Sequence, residues 1–376
     1  MPSKTTQIVR WAGAIVMLLL IVMLMAEGTW ATGLQHSWPF VVTCAAAVAL
    51  LAIAGARDCK GRHWAGALSH LGMALVLIGG MLGAVVETDC KMVVDRHASE
   101  RVAYTKADEA VVVPFALRLE DFRIDYYEDG ESAKQYTSIL RVDKETYSTS
   151  VNHPLRLKGW WIYQQDYDHA NGEFVILELV RDPLLPLVYI GMGMMVLGAL
   201  ITTRRAWQSR KVLPATLALA AVFTAASLAR IELGTLVPAL RSLWFFPHIL
   251  IYMIAYSLLA IATVVSGIGT FRDRPEYSEL GGKLLTTTSS LLLIGMICGA
   301  IWAKDAWGQY WTWDAKECWA AVTWLVTVVG THVPWRRFGR WATLVVIVIT
   351  FAAMQVTWYG VNYLPSAEYS RHTYNK

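Results

Sequence analysis

Trp307-Gly-Gln-Tyr-Trp-Thr-Trp-Asp-Ala-Lys-Glu-Cys-Trp319 joins two strongly apolar runs, 284–303 and 318–334. It holds four tryptophans, one tyrosine and three charged residues. Aromatics at a membrane–water boundary ordinarily anchor a helix among the headgroups. A plain anchoring belt is sparser and keeps its charges on the flanks. Here Asp314, Lys316 and Glu317 are mixed into the aromatic surface. In helical spacing Trp307, Tyr310, Trp311 and Asp314 fall on one face. That spacing predicts a flat apolar platform with polar groups at its edge. Such a surface suits a planar amphiphile with carboxylate arms, such as haem. On composition alone, a membrane belt and a ligand platform fit equally.

The rest of the chain sets this segment in a membrane. Of 376 residues, 55% are hydrophobic and only 16% charged, too apolar for an ordinary soluble enzyme. Runs approaching the ~20 apolar residues that cross a bilayer predict nine spanning helices. They lie at about 11–26, 39–56, 64–86, 183–203, 212–230, 246–270, 284–303, 318–334 and 341–358. The fold class is a polytopic α-helical membrane protein. The first run lacks a clear small-residue cleavage site and a second follows closely, so it reads as a retained helix, not a signal peptide.

Charge predicts the orientation. With the N-terminus cytoplasmic, the inner ends carry Arg57, Lys60 and Arg62, then Arg204, Arg205, Arg210 and Lys211. Arg272, Arg274, Lys283, Arg336, Arg337 and Arg340 follow on the same side. The outer short segments are sparser in basic residues, as the positive-inside rule expects. Nine spans then leave the aromatic segment and the C-terminus outside. The net charge of +4 is small, and no nucleic-acid partner is expected. The five cysteines form no Cys-x-x-Cys pair, which argues against a thioredoxin-like enzyme and against a c-type haem site on this chain.

One hydrophilic segment is long, 87–182, and falls outside. Its β-prone runs start at Val111, Tyr136 and Phe174, with turn signals at Asp129-Gly130 and Asn171-Gly172. It is expected to be a small β-rich extracytoplasmic domain of docking or structural character, with His153 in its packing. The chain divides into helices at 1–88, this domain at 89–182, a helix and basic linker at 183–211, and a second membrane region at 212–376.

Nine histidines are present. Histidine in an apolar helix is costly and usually paired or functional. His70 lies about 9 Å inside the third helix from its cytoplasmic end, and His332 at the same end of the eighth. They can form an inner pair. His248, at the outer start of the sixth helix, and His372, in the outer tail, share the side of the aromatic segment and can form an outer pair.

The motif Trp-Gly-x-Tyr-Trp-x-Trp-Asp-x-Lys-Glu resembles the "WWD" segment of the haem-handling proteins of cytochrome c biogenesis. Within them it is most similar to the system II cytochrome c synthase family, CcsA/ResC. The stretch from Asn152 to Tyr167 resembles a segment of ResB, the usual partner of CcsA. The N-terminal half therefore looks like a ResB with a shortened outer domain. The resemblance implies that His248 and His372 are outer axial ligands of haem iron, and His70 and His332 the inner ones. Trp307, Trp311 and Trp313 would hold the ring, with Tyr310 beside them. Asp314 would orient the segment or contact a propionate's partner, and Lys316 would neutralise a propionate.

The activity implied is cytochrome c haem lyase, or synthase, chemistry in the bacterial cytoplasmic membrane. Haem b, its iron preferably ferrous, would be joined to Cys-x-x-Cys-His of apocytochrome c. Lacking Cys-x-x-Cys, the chain implies a separate thiol reductant as partner. A haem exporter or chaperone without synthase activity uses the same four histidines and stays open. A quinol-linked b-type cytochrome gives no reason for the outer aromatic segment. A plain transporter would favour broken helices and internal repeats, which this chain lacks.

Overall fold

The computed structural model describes residues 4–207, 235–332 and 339–370, with a few positions between 218 and 225. Three helices open the chain: α1 (Lys4–Trp30), α2 (Trp38–Lys60) and α3 (Trp64–Val86). Ser37 caps α2, its hydroxyl accepting from the Phe40 N–H at 3.5 Å, and Pro39 occupies the first turn, where a missing N–H costs nothing. After the β-domain come α4 (Leu185–Ala206), α5 (Phe245–Phe271), α6 (Pro275–Trp307), α7 (Ala315–His332) and α8 (Gly339–Trp358).

Seven of these eight helices are long and apolar enough to cross a membrane. The exception, α7, starts with Lys316 and Glu317 and ends on His332. The run expected at 212–230 lies largely outside the described residues, so the structure supports a polytopic membrane protein without giving nine spans. Helix α6 starts well before the predicted 284, because its polar first turns are helical in their own right. Pro275 begins it, and Lys283 pairs with Glu279 one turn back at 3.2 Å.

Small residues bring the helices together. A Cβ on Gly191 of α4 would lie 2.6 Å from the Gly72 carbonyl of α3, and one on Gly72 would lie 2.7 Å from the Gly191 carbonyl. This is close backbone packing of the kind small residues permit in membrane bundles. Gly191→Val is expected to destabilise the purified protein by about 1–3 kcal/mol. Its thermal unfolding midpoint in detergent checks this. Gly28 of α1 is crowded in the same way by Cys318 and Trp319 of α7, so the first helix packs against the second membrane region.

Between α3 and α4 lies one antiparallel sheet of eight strands, ordered β5-β4-β3-β2-β1-β8-β7-β6. They are β1 (Thr88–Asp95), β2 (Glu100–Thr105), β3 (Ala110–Tyr126), β4 (Ala133–Val142), β5 (Glu145–Ser150), β6 (Leu155–Leu157), β7 (Trp160–Tyr167) and β8 (Phe174–Arg181). Alternate residues of β1 (Cys90, Met92, Val94) and of β8 (Val175, Leu177, Leu179) face one core with Phe115, Leu117 and Leu140. The sheet curls until its far strands meet: Thr149 of β5 donates to the Ile162 carbonyl of β7 at 2.8 Å, and Ser138 of β4 donates to Gln164 of β7. Gly130 and Gly172, in the predicted turns, both take positive φ. His153 is exposed rather than packed. Its backbone bridges Ser150 across a tight turn.

Candidate functional site

The aromatic segment is not a helix. Gly308 ends α6 in the left-handed conformation (φ 83), a position glycine alone takes without strain. Trp313 also has positive φ, at 62. Helical spacing therefore stops at Trp307, and the predicted single face does not form. The indoles of Trp311 and Trp313 meet edge to face (6.1 Å, 83°), and Phe40 of α2 meets Trp313 in the same way (5.2 Å, 86°). The surface is a set of half-buried, mutually perpendicular rings in place of a flat platform.

Asp314 and Glu317 form a capping box at the start of α7. The Asp314 carboxylate accepts from the Lys316 N–H (2.8 Å), and Glu317 reaches back to the N–H groups of Thr312 (2.7 Å) and Asp314 (3.3 Å). Asp314 is thus a buried cap of α7. Asp314→Ala is expected to cost about 1 kcal/mol of stability. Asp314→Asn, which keeps the cap, is expected to be near neutral. Paired thermal melts separate the two.

The other end of the segment is tied to the sheet. Lys304, fully buried, donates from Nζ to the Gly308 carbonyl at 2.6 Å. Burial disfavours its ammonium, and the field of Glu87, Asp182, Asp89 and Glu178 opposes that cost in part. Burial raises the Glu87 carboxyl above the ordinary carboxylate range, and Lys304 opposes that rise. Gln309 donates to Asp89 of β1 at 3.0 Å, and Asp89 also accepts from Lys106. A Cβ on Gly308 would lie 3.1–3.3 Å from Val180 and Tyr163. Burial likewise raises the phenol of Tyr310. Its hydroxyl reaches α3, 3.3 Å from where a Cβ on Gly80 would be.

His248 is linked to the segment's first tryptophan, Trp307, through Trp302. Its Nδ1 contacts the Gly295 carbonyl of α6 at 2.7 Å. A carbonyl only accepts, so Nδ1 carries the proton and Nε2 is the ring's acceptor nitrogen. Tyr252 (4.9 Å) and Trp302 (6.0 Å) flank the ring, and Trp302 meets Trp307 edge to face at 5.1 Å. Trp302 is buried and donates to the Ala239 carbonyl at 2.8 Å. A cavity of about 350 Å³ is lined by Glu27, Gln35, Trp313, Asp314 and Ser366. Ser366 also donates to the Gly28 carbonyl at 2.7 Å, which docks the tail on α1. His372 lies outside the described residues, so the proposed outer pair is seen only on its His248 side.

At the opposite end of the bundle, His70 of α3 and His332 of α7 come together. Their ring centres are 5.9 Å apart at 56°. Two imidazoles on opposite sides of one metal, each at about 2 Å, put their ring centres about 6 Å apart. His70 Nδ1 is 2.9 Å from Asp58 Oδ2, and His332 Nδ1 is 2.9 Å from the Val328 carbonyl. Both rings therefore keep Nε2 for a ligand. Helix α7 rises about 26 Å from the aromatic segment to His332, close to the ~30 Å hydrocarbon core of a bilayer.

Residues 184–367 match the family model described as cytochrome C assembly protein, and residues 53–174 match the ResB-like family. The two matches follow one another along the chain, the ResB-like one first. His70 stands in the first, and His248, the aromatic segment and His332 in the second. The second match begins at 184 and so takes in α4. Curated relatives carry the name cytochrome c biogenesis protein CcsA. The one from Chlamydomonas reinhardtii is 31% identical over 160 residues, covering 38% of this chain and 45% of the relative. That from Synechococcus sp. (strain CC9605) is 32% identical, covering 34% and 55%. That from Mesostigma viride is 32% identical, covering 38% and 59%. The chain spans about half the length of the curated relatives it matches.

Sequence reasoning missed Trp302, Gly299 and Asp58. Trp302 and Gly299 are spaced i, i+3 on α6 and so share the face that meets His248. Asp58 sits among Arg57, Lys60 and Arg62, a group read only for its positive charge.

Proposed function

We propose that this chain takes part in cytochrome c biogenesis by moving haem across a membrane and presenting it to apocytochrome c. The observation that carries the reading is the approach of His70 and His332, one from each matched region, to a spacing suited to two axial imidazoles. The relatives' shared name supports the assignment to cytochrome c biogenesis. The basic bias of one side supports a bacterial cytoplasmic membrane with the N-terminus inside.

Haem b is the cargo, delivered with ferrous iron. It enters between His70 and His332 and moves to the aromatic segment on the outer side. There His248 and His372 supply the axial imidazoles, Trp307, Trp311, Trp313 and Tyr310 surround the ring, and Lys316 neutralises a propionate. Apocytochrome c brings Cys-x-x-Cys-His from outside. Each thiol adds across one vinyl group, sulfur to one carbon and hydrogen to the other, so attachment consumes no oxidant. The client's histidine displaces an axial ligand and the product leaves. The thiols must arrive reduced, which makes a separate thiol reductant a partner. The chain's share is chiefly positioning, worth several kcal/mol.

Co-expression with an apocytochrome c in a host lacking its own maturation system tests the assignment. Covalent haem on the client, resistant to denaturing electrophoresis, is expected. Free haem reaching the outer side without covalent product would leave an exporter in its place.

A further inference from the structure

The two inner histidines are held by groups of different strength. A carboxylate oxygen can only accept, so the 2.9 Å contact from Asp58 Oδ2 fixes His70 as the Nδ1-protonated tautomer. His332 is backed by a neutral carbonyl, that of Val328 in its own helix, with the Thr331 hydroxyl 3.3 Å away. A hydrogen bond to a charged acceptor is roughly twice as strong as one to a neutral acceptor, and it makes the imidazole a more basic metal ligand.

The fold makes room for the Asp58 contact. Asp58 is in the last turn of α2, and its own carbonyl accepts from the His63 N–H at 2.8 Å across the tight turn into α3. Gly66 lies one helical turn before His70 on α3. A Cβ there would fall 2.2 Å from Asp58 Oδ2 and 3.0 Å from its Cγ. The carboxylate thus lies in a notch that any side chain at 66 would fill. Gly66, in the first turn of α3, thus clears the path from Asp58 to the imidazole.

We infer that Asp58, seated in the Gly66 notch, is a positioning residue that makes His70 the anchoring ligand of the inner haem and leaves His332 as the ligand that binds last and releases first. The inference rests on reading His70 and His332 as haem ligands. His332 is the last residue of its helix, which fits the releasable role, and His70, half-buried within α3, fits the anchor.

The test compares Asp58→Asn, Asp58→Glu and Gly66→Ala with wild type in the detergent-purified, full-length protein. Asp58→Asn is close to isosteric, so size-exclusion behaviour should not change. In haem-free protein, nitrogen-15 spectra of the imidazoles should show His70 as the Nδ1–H tautomer in wild type and as a mixture in Asp58→Asn. In haem-loaded protein, Asp58→Asn and Gly66→Ala should raise the iron midpoint potential and quicken haem loss to a haem-accepting globin several-fold, and Asp58→Glu should restore part of both. Unchanged tautomer, potential and loss rate in Asp58→Asn, in a protein where His70→Ala removes the haem, would overturn the inference and leave the proposed function standing. A wild-type spectrum in both His70→Ala and His332→Ala would overturn both.

Discussion

His70→Ala is expected to lower the haem recovered with the purified protein roughly tenfold, the equivalent of about 1.4 kcal/mol in binding. The pyridine haemochrome assay reads it directly. The size follows from geometry. The proposed inner site consists of two imidazoles whose ring centres are 5.9 Å apart, and removing one would leave iron with a single protein ligand. His332→Ala is expected to lose less haem and to shift the remainder toward a five-coordinate, high-spin spectrum. Free imidazole, small enough to occupy the vacated position, should restore a six-coordinate spectrum in both variants. Haem reaching the aromatic segment passes this pair first in the proposed route, so cytochrome c product should fall with it. Full haem content and full product in His70→Ala would remove the inner site from the route.

The inner pair was legible before any coordinates because it depends only on helix register. His70 near the start of one span and His332 at the end of another both fall in the inner half of the membrane. Which of the many residues at that depth touch is a tertiary fact. Asp58 is twelve positions from His70 in sequence, and nothing in its spacing marks it as a partner. The β-prone runs from Val111, Tyr136 and Phe174 became β3, β4 and β8, because alternation with period two survives any sheet order. The curl that joins β5 and β7 has no such local signature.

The aromatic segment misled for a definable reason. Helical periodicity was carried across Gly308, the residue best able to stop it. The Asp314-x-x-Glu317 spacing was itself a helix-start signal. Read together, a stop at Gly308 and a start at Ala315 leave a short irregular link. The tryptophans in that link turn edge-on to each other and to Phe40 because their backbones no longer share an axis.

The second large effect is expected at a residue with no side chain. Gly299→Ala should reduce covalent cytochrome c roughly tenfold or more in the co-expression assay, about 1.4 kcal/mol of lost function. A Cβ at position 299 would lie 2.7 Å from both Cε1 and Nδ1 of His248. The ring cannot yield cheaply. Its Nδ1 is bonded to the Gly295 carbonyl, and Tyr252 and Trp302 stand on either side. Either α5 and α6 separate, or the imidazole swings off its carbonyl and Nε2 loses its aim. Overpacking of this kind also costs about 1–3 kcal/mol of stability, so the melting midpoint must be measured beside the product. Gly267→Ala on the opposite helix is the control. Nothing lies within 4 Å of a Cβ there, and alanine in a helix interior is favoured over glycine by up to about 1 kcal/mol. That variant should match or exceed wild type in both stability and product. If Gly299→Ala instead makes cytochrome c at the wild-type rate, His248 does not act from the position the fold gives it, and the outer ligand set must be sought elsewhere on the aromatic side.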